Sequence, residues 1–126
     1  MVEKVYRGFR DLKVYQLSYA LAMAIFNETK KFPVEERYLL TDQIRRSSRS
    51  IPANLAEAWK KRRYEKLFVS KLIDCGGEAA EVEVWLDLAR DCGYLQVERH
   101  QYFLQKYEEV GKMLHSMVRQ PEKFCF

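Results

Sequence analysis

Apolar residues recur at helical spacing in four stretches of the chain, and polar residues fill the positions between them. The stretches cover about residues 11–31, 34–60, 64–92 and 97–118, each long enough for several helical turns. The connection after the first stretch, Phe32-Pro33, is short and makes the first two helices antiparallel neighbours. The pattern therefore predicts an all-α, antiparallel four-helix bundle with no sheet.

The third stretch has the most regular pattern. Its apolar residues recur at intervals of four and three, the a/d spacing of a left-handed bundle. These residues are Phe68, Leu72, Cys75, Ala79, Val82, Leu86 and Ala89. Because glycine weakens a helix interior, Gly76 and Gly77 predict a close contact with another helix. Gly93 fits the position directly after the end of this helix.

The first and fourth stretches carry similar apolar stripes. In the first, the stripe consists of Val14, Leu17, Leu21 and Ile25. In the fourth, Phe103, Val110 and Met117 lie beside a predicted seam of Leu104, Tyr107, Gly111, Leu114 and Val118. We expect His100 and His115 at the surface or the seam edge, and Cys75 as an inert buried thiol. Residues 1–126 form one domain, with an irregular arm at 1–9 and a loose tail at 119–126.

The second stretch is amphipathic and contains a proline. At 100° per residue, its apolar stripe consists of Leu40, Ile44, Ile51, Leu55 and Ala58. The opposite arc carries Arg45, Arg49, Lys60 and Arg63. Pro52 lacks the N–H of a helix interior, so the helix is either kinked or restarted near it. Three nearby serines, at positions 47, 48 and 50, are expected to satisfy the carbonyls that the proline leaves free.

The net charge of +4 is mild, but the charges are separated along the chain. Residues 37–63 contain eight basic and two acidic side chains, a net charge of +6. Residues 74–91 contain six acidic and one basic side chain, a net charge of −5. This asymmetry indicates a polyanionic partner or a complementary subunit.

Two segments carry a family resemblance, and their sequences are FPVEERYLLTDQIRRSSRSIPANLAEAW and EAAEVEVWLDLARDCGYL. They resemble the small proteins encoded in intervening sequences of bacterial large-subunit ribosomal RNA genes, and the similarity extends from about Phe9 to Val118. Two departures stand out: Ala58 replaces the family's glycine after NLAE, and Gly77-Glu78 replaces its usual Gly-Ser.

The resemblance implies a bacterial protein with an up-down-up-down bundle that assembles as a ring-shaped homopentamer. It extends to the accessory proteins of diversity-generating retroelements, which share the fold. Those are basic pentamers that bind a reverse transcriptase and its template RNA. The resemblance therefore implies an assembly and a class of partner, and no reaction.

The basic residues of the second helix and of the turn after it form the candidate nucleic-acid-binding site. They are Arg45, Arg46, Arg49, Lys60, Lys61, Arg62 and Arg63. Arginine suits phosphate, and no base-reading motif accompanies these residues, so binding is expected at the nucleic-acid backbone. The residues do not decide between RNA and DNA, and RNA is favoured because of the resemblance. The alternative is a protein–protein scaffold whose basic face only pairs subunits.

Four residues of the family motifs are expected to be structural: Pro52, Asn54, Glu57 and Glu81. Asn54 and Glu57 are one turn apart and are expected to bond the backbone or the next helix. Glu81 is expected to pair with an arginine such as Arg45 or Arg46.

Catalysis, metal binding and a membrane location are not expected. No histidine follows a glutamate at the Glu-x-x-His spacing of di-metal bundles, and none has a nucleophilic partner in sequence. The longest apolar run is too short to cross a bilayer. The three cysteines form no CxxC pair and suit reduced cytosolic thiols. We therefore expect a cytoplasmic, non-enzymatic protein without a cofactor.

Overall fold

The computed structural model describes residues 5–126, and four helices account for most of them. Helix α1 spans Lys13–Thr29, α2 spans Leu40–Lys60, α3 spans Glu65–Asp91 and α4 spans Val97–Arg119. Short 3₁₀ turns lie at Phe9–Asp11, Val34–Glu36 and Pro121–Lys123. Since this part of the chain contains no strand, the all-α prediction is confirmed.

The helices form an antiparallel bundle in which each helix packs against two others. The packed pairs are α1 with α2, α2 with α3, α3 with α4, and α4 with α1. Side-chain bonds show that two of these pairs are antiparallel. Arg45 near the start of α2 bonds Thr29 at the end of α1, and His100 near the start of α4 bonds Asp87 near the end of α3. The predicted four-helix bundle is therefore present.

The core seam of α3 is the seam that its spacing predicts. All seven seam residues, from Phe68 to Ala89, are buried. The thiol of Cys75 donates a hydrogen bond to the backbone carbonyl of Ile51 on α2, at 3.6 Å between sulfur and oxygen. Burial raises the pKa of this thiol to about 12, so Cys75 stays protonated and unreactive at neutral pH, as expected.

The predicted seam of α4 is correct at Tyr107 and Leu114, and its other three residues each lie one position after a buried residue. The buried residues are His100, Phe103, Tyr107, Val110, Leu114 and Met117. Leu104, Gly111 and Val118 lie only partly buried at the side of this seam. His100, expected at the surface or seam edge, is 3% exposed, and its imidazole Nε2 lies 2.7 Å from the carboxylate of Asp87. Burial removes the hydrogen bond that the imidazole would make to water, and the bond to the Asp87 carboxylate replaces it.

Helix α2 runs through Pro52 without interruption, so it is not restarted there. It begins at Leu40, because a 3₁₀ turn occupies part of the preceding stretch that was expected to be helical. The three nearby serines do bond carbonyls, but those of Gln43, Arg45 and Arg46. These carbonyls lie upstream of the one that the proline leaves free, so the expected compensation at Pro52 is wrong.

The C-terminal segment packs against the bundle and is not loose. Pro121 is buried, and the Phe124 ring lies 6.0 Å from Phe68 and 5.6 Å from Tyr6, measured between centroids. The tail contains apolar side chains, and burying them against the bundle stabilises the packed conformation against the conformational entropy of a free chain end. Of the arm at 1–9, residues 1–4 lie outside the described range, and Tyr6 packs on Trp59.

The three glycines singled out in α3 and after it have different roles. Gly93 follows α3 with φ of +81°, and Tyr94 N–H donates to the Ala89 carbonyl, which is the expected helix-ending motif. A side chain at Gly76 or Gly77 would meet nothing within 4 Å. The close contact predicted for these two residues is therefore absent within residues 5–126. Gly77 is exposed, and Gly76 lines a groove between α3 and α4.

Candidate nucleic-acid interface

Four arginines surround one shallow concavity on the outer side of α2. The concavity has a volume of about 490 Å³ and is lined by Arg37, Thr41, Asp42, Arg45, Arg46, Arg49, Ser50 and Ala53. Asp42 is the one acid in this lining. Arginines one turn apart on α2 share a helix face, and the connection before α2 supplies Arg37. We call this set of residues the arginine concavity.

Arg45 links α2 to α1 through hydrogen bonds. Its Nε donates to the Thr29 hydroxyl at 2.8 Å, and its Nη2 donates to the Phe26 carbonyl at 3.4 Å. The guanidinium also lies 4.8 Å from the centre of the Phe26 ring. A cation at a helix C-terminus satisfies carbonyls that lack a helical partner and complements the helix dipole. Arg45 is therefore a structural residue at the edge of the interface.

Arg46 pairs with Glu81 on α3, at 3.0 Å between Nη2 and Oε1. This is the ion pair expected for Glu81, and it joins α2 to α3. Both side chains keep substantial exposure, so the pair is screened by water. Burial and the nearby Glu81 raise the pKa of Glu78, and the charge of Arg46 opposes that rise. The charge of Arg46 thus acts on two acids of α3, Glu81 and Glu78.

Among the three α2 arginines of this concavity, Arg49 is free to bind a ligand. It is exposed, and no acid pairs with it within residues 5–126. Its guanidinium lies 5.7 Å from the centre of the Phe26 ring, which orients it without neutralising it. Its forked donors are therefore available to an incoming phosphate.

A second basic cluster lies at the other end of α2. Lys60 is the last helical residue, and Lys61, Arg62 and Arg63 form the turn that follows, so helical phase no longer places Arg63 on the basic face. The guanidinium carbon of Arg62 lies 3.6 Å from the centre of the Trp59 ring, and Nε donates to the Trp59 carbonyl, which makes Arg62 structural. Lys60 and Arg63 are exposed. Arg49 and Lys60 are separated by about 16 Å along the helix.

The expected structural role of Asn54 and Glu57 is present, and its partner is Lys71 of α3. Lys71 Nζ lies 2.6 Å from the Glu57 carboxylate and 3.3 Å from the Asn54 side-chain oxygen. This bond and the charge of Lys71 lower the pKa of Glu57, while the bond to Glu57 raises the pKa of Lys71. The motif residues thus link α2 to α3 one turn beyond Pro52.

An aromatic cleft between α1 and α2 was missed in the sequence analysis. Its volume is about 380 Å³, and its lining residues are Phe9, Tyr15, Tyr19, Ala22, Met23, Phe26, Arg49, Pro52, Ala53 and Ala56. Tyr19 and Met23 are about half exposed. The signal in the sequence was a second apolar row on α1 at intervals of four, four and three, beginning at Tyr15 and separate from the buried stripe.

An exposed apolar stripe on α3 was also missed. Ile73, Val84 and Leu88 are 60%, 52% and 44% exposed, and helical spacing places Gly77 and Ala80 on the same face. We call these five residues the outer stripe of α3. A groove of about 700 Å³ between α3 and α4 adjoins it, with Ala80 in its lining and with Glu83 and Tyr107 in its wall. Burial and the charges of Asp87 and Glu108 raise the pKa of Glu83.

The described residues offer neither a metal site nor a membrane span. Residues 5–126 bring no three metal-ligating side chains together. In the same range, no helix combines the length and the apolar composition that crossing a bilayer requires.

Comparison with known proteins identifies the family. The model of the 23S rRNA-intervening sequence protein family matches residues 10–116. A crystal structure of a protein of unknown function from the S23 ribosomal protein family of Bacteroides thetaiotaomicron is similar, with a TM-score of 0.76 and 31% sequence identity. The match covers 84% of this chain and 95% of that one, and no curated protein matches. This chain therefore belongs to the 23S rRNA-intervening sequence protein family.

Proposed function

We propose that this protein is a non-enzymatic, homo-oligomeric accessory protein that binds the nucleic-acid backbone through the outer face of α2, with RNA favoured. The arginine concavity carries the proposal, because four arginines and a single acid line it. A concave arrangement of forked donors fits a phosphate group better than scattered surface cations do. The family resemblance suggests a reverse transcriptase as a further partner and the cytoplasm as the location.

The contacts divide the seven candidate residues into two groups. Arg45 and Arg62 bond the protein itself, and Arg46 shares its charge with Glu81. Arg49 in the concavity and Lys60 at the helix end are open cations. Arg49 and Lys60 are therefore the residues expected to contribute most to binding, with Lys61 and Arg63 extending the track past the helix.

Oligomerisation is proposed from the outer stripe of α3. A helix that is apolar on its inner and outer faces is typical of a helix covered on both sides. Exposed contiguous apolar surface of this kind is typical of a protein–protein interface. The number of subunits, five, is proposed from the resemblance alone. A ring would repeat the basic face, and linked sites raise affinity without new contacts.

The test is fluorescence anisotropy with a labelled single-stranded RNA at a series of salt concentrations. For the wild-type protein we expect binding that weakens steeply with salt, by a slope of about −0.7 per phosphate contact on logarithmic axes. The double variant Arg49→Glu plus Lys60→Glu is expected to lose binding at all but the lowest salt.

The matched control makes the same charge change elsewhere, with Lys13→Glu plus Lys123→Glu at exposed positions. It is expected to bind far more tightly than the α2 variant. Equal losses in the two double variants would mean that net charge, and not the face of α2, governs binding.

A protein–protein scaffold is the second candidate, and the Arg46–Glu81 pair favours it, because it shows basic and acidic faces of this chain pairing with each other. In that case the basic face meets the acidic segment 74–91 of a neighbouring subunit. An assembled wild-type protein that binds no RNA even at low salt would favour this alternative.

A further inference from the structure

The aromatic cleft and the arginine concavity are continuous on the protein surface. Arg49 and Ala53 line both of them, so the apolar surface of the cleft borders the cationic surface of the concavity. The small side chains of Ala53 and Ala56, together with the Pro52 ring, leave the cleft open on the α2 side. A flat apolar surface thus lies directly beside a cationic one.

The aromatic side chains of the cleft are arranged as a row of rings. The centroids of Phe9 and Tyr15 are 5.1 Å apart, and those of Tyr15 and Tyr19 are 5.9 Å apart. Tyr19 ends the row and is 52% exposed. Phosphate binding gives no reason for this row, because a phosphate needs donors and water, not ring faces. A ligand with both a flat ring and an anion would use the whole surface.

We propose that the aromatic cleft holds an unpaired nucleobase, so that the protein binds single-stranded nucleic acid in preference to duplex. The proposal rests on the proposed function, since Arg49 supplies the adjoining phosphate contact. Stacking on aromatic side chains beside a cationic groove is how proteins bind single strands without reading sequence. A duplex cannot enter, because its bases are stacked on each other and their faces are covered.

The size and chemistry of the cleft agree with this occupant. Its volume of about 380 Å³ lies within the range of small-ligand pockets, roughly 300–1,000 Å³. No carboxylate lines it, so nothing there repels the phosphates on either side of the base. An apolar side chain from a partner protein is the competing occupant, and it would not require phosphate or base.

The test measures anisotropy with three probes: labelled oligouridylate, an abasic ribose–phosphate strand of equal length, and oligouridylate annealed to oligoadenylate. We expect oligouridylate to bind about tenfold more tightly than the abasic strand, and more tightly than the duplex despite the greater charge of the duplex. Tyr19→Ala should remove that tenfold advantage and leave affinity for the abasic strand unchanged.

Tyr102→Ala is the matched control, because Tyr102 is a tyrosine of similar exposure on α4. It should leave all three affinities unchanged. Equal affinities for oligouridylate and the abasic strand would overturn the base-binding proposal while leaving backbone binding intact. Binding of neither strand would overturn both proposals. A Tyr19→Ala variant that lost affinity for both strands equally would show a structural role for Tyr19 and also overturn the inference.

Discussion

Helices α2 and α3 lie side by side, and their inner faces are alike while their outer faces differ. Each buries an apolar stripe against the other, including Ile51 on α2 and Cys75 on α3. The outer face of α2 is cationic, whereas that of α3 is apolar. The inner stripes explain the fold. The partners proposed for the outer faces differ accordingly: a polyanion for α2 and another protein chain for α3.

The largest expected effect is the loss of stability caused by a charge on the inner face of α3. Leu72 is 1% exposed, so Leu72→Asp would place an unpaired charge in the core and destabilise the fold by roughly 4 kcal/mol or more. Its neighbour Ile73 lies on the outer stripe and is the matched control. Ile73→Asp should retain the helical circular dichroism and the cooperative thermal unfolding that Leu72→Asp loses. Similar melting of the two variants would mean that the two faces of α3 are misassigned.

A smaller effect distinguishes two arginines one turn apart on α2. Arg45→Ala removes the bonds to Thr29 and to the Phe26 carbonyl, and we expect a loss of about 1–3 kcal/mol in the free energy of unfolding by urea. Arg49→Ala should stay within about 0.5 kcal/mol of wild type, because Arg49 is exposed and bonds no acid. The reverse order of the two losses would contradict the structural role given to Arg45.

The smallest expected effects are changes in stability with pH, and they have opposite signs for substitutions of Glu57 and Glu83. Since Lys71 lowers the pKa of Glu57 from its ordinary 4.5, ionised Glu57 stabilises the fold above that pH. Glu57→Gln should therefore be less stable than wild type at neutral pH, by a margin that shrinks as pH falls below 4.5. The pKa of Glu83 is raised, so its ionisation opposes folding. Glu83→Gln should be more stable at neutral pH, by a margin that also shrinks toward acid.

Urea unfolding at a series of pH values measures both margins. Parallel curves for the two variants, displaced from wild type in the same direction, would contradict the contacts assigned to these carboxylates.

The seams show what a single sequence can and cannot determine about this fold. The α3 seam was predicted in full, because its apolar residues fit one helical stripe and the competing outer residues are spaced less regularly. On α4, Tyr107 and Leu114 fit two overlapping stripes. Choosing between the stripe of Phe103 and that of Leu104 requires knowing which way the helix faces its neighbours, which its own pattern does not contain.

The interface shows the same limit. The basic residues of α2 were visible in the sequence, but Arg45 and Arg49 look alike there. The two arginines differ because α1 ends beside Arg45, which donates hydrogen bonds to the Thr29 hydroxyl and the Phe26 carbonyl. The aromatic cleft depends on α1 and α2 together, and a row of rings on one helix does not show that Pro52 and Ala56 leave space opposite it.

Sedimentation velocity with a labelled RNA tests the division between the two outer faces most directly. The wild-type protein is expected to sediment as an oligomer that carries the RNA. Arg49→Glu plus Lys60→Glu should keep the oligomer and release the RNA. Val84→Glu plus Leu88→Glu should sediment as a single chain of 15.1 kDa with little RNA bound. Loss of the oligomer in the α2 variant, or an intact oligomer in the α3 variant, would contradict the account.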